Sequence, residues 1–282
     1  MIGQLTVHRP DSVDAVTQLL ATHGDRARIH AGGTDLVVQM RSGAVASDQL
    51  IDLGRVPTID RISFLDDGTL EIGSRVTMRD LIGDVDVRRT FPALIDGASL
   101  VGSKQIQAMA TVVGNLCNAS PAADSVPALH VYEAEAVLLG PSGVRHVPVA
   151  EYAVAPRRTV LGDGEWVTSI RIPPGSFQGS AYVKLGRTMG VDIAVAGVAC
   201  LITDEGVRLA VSSVGPTVVR TPRTEELLAR VGRFTEEAGE LIAAEISPID
   251  DVRASAWYRK AVVPVLAERS WLIATDRRTV DA

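Results

Sequence analysis

Ala31-Gly32-Gly33-Thr34-Asp35-Leu36 and Thr111-Val112-Val113-Gly114-Asn115-Leu116-Cys117-Asn118-Ala119-Ser120-Pro121-Ala122-Ala123-Asp124 are the stretches on which the fold turns. Each sets glycine among small hydroxyl or amide side chains, with apolar residues on either side. Loops of this composition expose backbone N–H groups that can surround a phosphate, and glycine lets the backbone come close. The first stretch also precedes a helix, whose N-terminus favours an anion. Neither matches GxxxxGKS/T, which sets aside a nucleoside triphosphatase, and no GxGxxG follows the first strand, which disfavours an ordinary dinucleotide-binding fold. On spacing alone, Gly32-Gly33 also reads as a plain tight turn.

Outward from the first stretch, Asp11 or Ser12 caps a helix with Val13, Val16, Leu19 and Leu20 on one face, and Gly24 ends it. Residues 28–31 make a short strand, a helix starts over 35–41, and residues 49–53 form a second strand. The intervening helix makes these two strands parallel. From 55 to 175 short strands alternate with helices. A hairpin turns at Asp66-Asp67-Gly68, Thr77 caps a short helix, and helices are expected over 92–101 and 125–134. A strand at 137–139 and a closing strand from Trp166 to Ile172 precede the linker Pro173-Pro174-Gly175. Beyond it, 194–203 and 207–214 form a long apolar hairpin. Helices over 223–231, 235–245 and 254–276 follow, with Pro264 bending or interrupting the last. Strands followed by helices suggest a separate α+β domain. The expected divisions are 1–54, 55–175 and 176–282.

With 282 residues, 46% of them hydrophobic, the chain can bury a sizeable core and exceeds one typical domain. A net charge of −6 argues against a nucleic-acid surface. No apolar run approaches the roughly 20 residues of a membrane span. MIGQLTVHRPDS has no basic region followed by an apolar one, so no secretory leader is expected. Two cysteines, Cys117 and Cys200, cannot ligate a 2Fe–2S cluster or a four-cysteine zinc ion, and they fit a reducing cytoplasm. His8, His23, His30, His130 and His146 show no metal-ligand spacing, so no metal site is expected. Cys117 has no activating base beside it and reads as a small buried filler. Trp257, Tyr258 and Trp271 are expected to pack the C-terminal part.

AGGTDL, followed some eighty residues later by TVVGNLCNASPAADSVPAL, closely resembles the FAD-binding subunit of the molybdenum hydroxylases. That family includes the medium subunit of aerobic carbon monoxide dehydrogenase and the flavin domain of xanthine dehydrogenase. EWVTSIRIP at 165–173 resembles its closing strand, and AYVKLGR at 181–187 with Asp192-Ile193-Ala194 resembles its next segment. DDVRASAWYR at 250–259 is similar to its D-D-I-R-G-S-A-x-Y-R signature, so the likeness runs from near residue 5 to 275.

The resemblance implies an α+β fold: a two-part FAD-binding domain of the vanillyl-alcohol-oxidase (PCMH) type, then a small α+β C-terminal domain of the carbon monoxide dehydrogenase flavoprotein type. It implies noncovalent FAD on this chain, with molybdopterin on a large partner subunit and 2Fe–2S clusters on a small one. Electrons would pass from those clusters through FAD to NAD, oxygen or quinone. Carried over by position, Arg28, Ile29, His30 and Ala31 with Gly32, Gly33, Thr34, Asp35 and Leu36 line the adenosine diphosphate and ribityl end. Thr111, Val113, Gly114 and Asn115 lie at the pyrophosphate, and Ala123 and Asp124 near sugar or ribityl hydroxyls. Val101 and Gly102 match a segment beside the flavin, Val167 an apolar contact with its ring, and Lys184 a lysine close to the cofactor. A cation there favours an anionic reduced flavin. No side chain is expected to act as a catalytic acid or base. His30 reads as a strand-end histidine rather than a point of covalent attachment.

One departure stands out. Where the family reads T-I/V-G-G-N, Val113 replaces the first glycine, and Gln107-Ala108-Met109 lacks the arginine often found there. A β-branched residue is costly if that backbone takes φ above zero or passes close to FAD, so weaker or locally shifted FAD binding is expected. Two other classes fit the sequence: a stand-alone flavoprotein oxidoreductase, and an assembly module that has lost FAD.

Overall fold

β1 (Thr6–His8) leads to Ser12, whose side chain accepts the Ala15 amide and starts α1 (Val13–His23). β2 (Ala27–His30), α2 (Leu36–Ser42) and β3 (Gln49–Asp52) complete a parallel sheet in the order β1-β3-β2. The turn at 31–35 therefore leaves the C-terminal end of β2, the end at which parallel sheets receive ligands. In this computed structural model residues 5–188 and 190–278 are described, and the sheets and helices counted are theirs.

β4 (Ile62–Phe64) and β5 (Leu70–Gly73) pair across the expected turn. Thr77 and Asp80 form a reciprocal capping box at α3 (Met78–Gly83). α4 (Val85–Thr90), α5 (Pro92–Ser99) and α6 (Lys104–Gln107) follow. α7 (Val112–Cys117) occupies half of a stretch that reads as loop in the sequence. The reason is its cap: Thr111 Oγ1 accepts the Gly114 amide at 3.0 Å, so a helix starts there. α8 (Val126–Val131) is buried along its length, shorter than the expected 125–134, and ends before Glu133 at φ 53°. β6 (Glu135–Gly140), β7 (Gly143–Pro148), α9 (Val149–Tyr152), β8 (Ala153–Ala155), β9 (Arg158–Thr159) and β10 (Trp166–Ile172) close this part. Its five-stranded sheet runs β4-β5-β10-β6-β7, with β10, the last of the five in chain order, at the centre and antiparallel to both neighbours. Trp166, fully buried, donates its indole N–H to Thr17 of α1 at 3.1 Å and ties this sheet to the first one.

β11 (Phe177–Leu185), β12 (Ala196–Thr203), β13 (Gly206–Ser212) and β14 (Val219–Arg220) form an antiparallel sheet, followed by α10 (Pro222–Val231), α11 (Glu236–Glu245) and α12 (Ala256–Arg278). β12 is buried from Ala196 to Ile202 without alternation, because both faces of the sheet are covered. Val198, Cys200 and Leu209 pack with Leu228, Ile242 and Leu266 of the helices. Ala199, Leu201 and Ala210 face the other way, into the core that holds Leu94 and Leu129. The C-terminal region is thus joined to the middle one through a shared core. α12 runs through Pro264 as one helix; the carbonyl that Pro264 leaves unpaired belongs to Lys260, an exposed position. Trp271 packs as expected, but Trp257 and Tyr258 do not: they are 76% and 42% exposed.

Candidate functional site

A cavity of about 1110 Å³ lies where the first sheet, the five-stranded sheet and residues 191–193 meet. It exceeds the roughly 300–1,000 Å³ of a site for a drug-sized ligand and suits a dinucleotide. Both glycine-bearing stretches wall it.

The first wall is backbone. A Cβ on Gly32 would fall 1.8 Å from the Met109 carbonyl oxygen, so only glycine lets the turn lie against residues 109–110. Gly33 adopts φ 68°, a left-handed conformation that favours glycine. Ala31, Gly32, Gly33, Thr34, Asp35 and Leu36 line the cavity, as do Arg28 and Ile29. His30 does not. Its Nδ1 lies 3.4 Å from Asp52 Oδ1 on the neighbouring strand, so its ring supports the turn from outside. Arg28 is the sole Lys or Arg among the lining residues and is occupied by the Asp25 and Ala27 carbonyls, each at 2.7 Å. Asp35 precedes α2 without a side-chain cap bond. Burial pushes its carboxyl up, against the pull of Arg157.

The second wall is a capped helix with hydrogen-bonded side chains. Thr111, Val113, Gly114 and Asn115 line the cavity from α7. Val113 is 3% exposed and sits inside the helix, not among the residues with φ above zero, so the strain expected of a β-branched side chain does not arise. Asn115 Oδ1 accepts from Ser125 at 2.7 Å, and Gln39 of α2 donates to Asn118 Oδ1 at 2.9 Å across the two walls. Cys117 is held by the Tyr152 hydroxyl at 3.3 Å, and burial pushes its thiol up to about 11, which leaves it unreactive at neutral pH.

Ala123 and Asp124 also line the cavity. Asp124 Oδ1 accepts the Tyr182 hydroxyl at 2.9 Å and Oδ2 accepts Lys184 Nζ at 2.7 Å. Burial pushes this carboxyl up, while Lys184 and Tyr182 pull it down. Lys184 itself, 6% exposed as a side chain, does not reach the cavity; it also donates to the Leu100 and Asp192 carbonyls. The resemblance implies a lysine close to the cofactor; here Lys184 stands directly behind Asp124 of the cavity wall.

Val101, Gly102 and Val167 complete the expected set on the wall. Val167 sits at a register shift between β10 and β6, and such bulges re-aim a side chain. Sequence reasoning missed the end of α1 (Leu20, Gly24), the turn at 161–165, and Val191, Asp192 and Ile193. Gly162-Asp163-Gly164 before the closing strand was the one legible signal among them. Among the described residues no His, Cys, Asp and Glu group of three or more is placed to hold a metal, and no helix is long and apolar enough to cross a membrane.

Residues 3–175 match the family described as the FAD binding domain in molybdopterin dehydrogenase, and residues 180–274 the CO dehydrogenase flavoprotein C-terminal domain. The chain belongs to the flavoprotein family of the molybdopterin dehydrogenases. Within that family, it is 32% identical over 278 residues to the carbon monoxide dehydrogenase medium chain of Afipia carboxidovorans, covering 95% of this chain and 96% of that one. It is 30% identical over 280 residues to the xanthine dehydrogenase FAD-binding subunit of Escherichia coli O157:H7, covering 95% of each. The crystal structure of a Cu,Mo-CO dehydrogenase chain superposes with a TM-score of 0.92 at 28% identity, covering 98% of this chain and 99% of the other. The expected two-part FAD-binding fold with a small α+β C-terminal domain is the fold of this chain.

Proposed function

We propose that this chain is the FAD-carrying electron-transfer subunit of a heteromeric molybdenum hydroxylase. The observation that carries the reading is one cavity walled by both glycine-bearing stretches, in a chain of this family. Its residues fit the cofactor. The Gly32-Gly33 cradle, which a Cβ would fill, presents backbone to a diphosphate, and with one engaged arginine on the wall, N–H groups and the Thr34 and Thr111 hydroxyls replace the water of the phosphates. Asp124 offers carboxylate oxygens to sugar or ribityl hydroxyls. Val101 and Val167 give an apolar bed for a flat ring. FAD, when bound, supplies the electron-carrying chemistry between iron–sulfur clusters on a partner and an acceptor such as NAD, oxygen or quinone.

The chain's own residues bind, orient and exclude water in this reading, which assigns no described residue as a catalytic acid or base. Relatives named as medium chains and as subunits of a dehydrogenase complex support partner chains bearing molybdopterin and 2Fe–2S clusters. Free Cys117 and Cys200 fit a cytoplasmic location. Purification of the chain alone and with its co-purifying partners tests the reading. One FAD per chain, no turnover alone and turnover in the complex are expected. A folded chain that takes up no FAD sinks it, and turnover by the isolated chain replaces it with a stand-alone oxidoreductase.

A further inference from the structure

The C-terminal DDVRASAWYR motif lies outside the cavity, yet its charged side chains converge on the chain that forms one cavity edge. Asp251 Oδ2 accepts Arg253 Nε and Nη2 at 3.0 and 2.5 Å, and Asp251 Oδ1 accepts Arg259 Nη2 at 2.6 Å. Each arginine has donors left over. Arg253 Nη1 donates to the Ala194 carbonyl at 3.2 Å, and Arg259 Nε donates to the Val195 carbonyl at 3.1 Å. Arg259 is a guanidinium with 1% of its side chain exposed, a burial that only several simultaneous partners can offset.

Residues 194 and 195 directly follow Val191, Asp192 and Ile193, which line the cavity. Val191 and Ile193 are 65% and 60% exposed, large aliphatics turned out beside the opening. The segment is held at both ends. The Asp192 carboxylate accepts from Arg187, its carbonyl accepts Lys184 Nζ at 2.9 Å, and the Ala194 carbonyl also accepts Ser213 Oγ at 3.1 Å. Ser213, at φ 65°, gives its amide to the Pro121 carbonyl at 2.8 Å, in the second glycine-bearing stretch. One polar network therefore joins the motif, the 191–193 edge and the 111–124 wall.

We propose that Asp251, Arg253 and Arg259 are positioning residues that fix the Val191-Asp192-Ile193 edge of the FAD cavity, so that the C-terminal domain takes part in holding the cofactor. The proposal rests on the reading that this cavity takes FAD. A cluster serving only to glue α12 to its sheet needs charge neutralisation alone, which lysine also provides. A cluster that positions the edge needs the guanidinium fork, which spans Asp251 and the Ala194 carbonyl together.

FAD titration of the full apoprotein, followed by flavin fluorescence and visible circular dichroism, tests this alongside melting temperature. Arg253→Met is expected to raise the FAD dissociation constant about tenfold and to change the visible dichroism of the bound flavin. Arg253→Lys is expected to recover the melting temperature but neither the affinity nor the dichroism, and it supplies a folded variant in any case. Arg220→Met, which removes the Arg220–Glu225 pair in the same region, is expected to lower the melting temperature with FAD affinity unchanged. The proposal falls if Arg253→Met or Arg253→Lys binds FAD within twofold of the parent with parental dichroism. It falls equally if Arg220→Met weakens FAD as much as Arg253→Met does. A parent chain that takes up no FAD overturns the functional reading and this inference together.

Discussion

The 31–36 turn meets the cavity with bare backbone, whereas the 111–124 stretch meets it with a capped helix and hydrogen-bonded side chains. In the turn, glycine is imposed from outside, by a carbonyl oxygen 1.8 Å from where a Cβ would sit. In α7, the backbone is ordinary helix and the cap comes from Thr111, so valine at 113 is tolerated and packs into the core. Two segments alike in composition thus differ in what a substitution costs. Tertiary contact decides the first, and local helix geometry decides the second.

The largest effect expected from this contrast is at Gly32. Gly32→Ala forces residues 32 and 109 apart, at about 3 kcal/mol, the upper end for overpacking, with FAD affinity lost more than a hundredfold. Chemical denaturation and flavin titration measure both, and a variant within twofold of the parent breaks the comparison. Acid separates the regions further. His130 of α8 is buried, its Nδ1 has no hydrogen-bond partner, and burial, with Arg220 nearby, pulls it down to about 4. Between its unfolded value and about 4 the unfolded chain binds the proton and the folded chain does not, so stability is complete above about 6.5 and falls as pH drops towards 4. The loss amounts to about 3 kcal/mol, at 1.36 kcal/mol per pH unit of depression. His130→Gln should remove most of that pH dependence, as read by melting temperature from pH 7 to pH 4.

Val113→Gly comes next. It removes a buried side chain and weakens a helix, so a stability loss of about 2 kcal/mol with no gain in FAD affinity is expected. Tighter FAD binding would show that the valine crowds the cofactor after all. The smallest effect is at the cap: Thr111→Ala should cost about 1 kcal/mol, with a modest loss of FAD affinity. An unchanged melting temperature would mean that the cap does not set the wall.

Much of the site was legible because its residues sit in two compact stretches. Glycine, threonine, asparagine and aspartate recurring within two short stretches announce a ligand-facing loop without any fold. The partner of Lys184 was hidden for a physical reason: a lysine near an anionic ligand and a lysine paired with a buried carboxylate look identical in one dimension. The partner of His30 was hidden similarly, since strand alternation cannot say whether a strand-end ring faces a cavity or the next strand, where Asp52 waits. Residues 161–165 and 191–193 carry no phosphate-binding pattern, and only chain crossings bring them to the opening.

By itself the sequence determined the local elements and the cavity's backbone. Ser12, Thr77 and Thr111 side chains start helices over a few residues, and apolar alternation sets the strands. Tertiary structure alone decided that β10 would sit in mid-sheet, that the C-terminal sheet would be covered on both faces, and that two arginines near the end would grip residues 194 and 195. Caps and periodicity act through neighbours in the chain. Burying a sheet face or a guanidinium depends on partners brought from far along it.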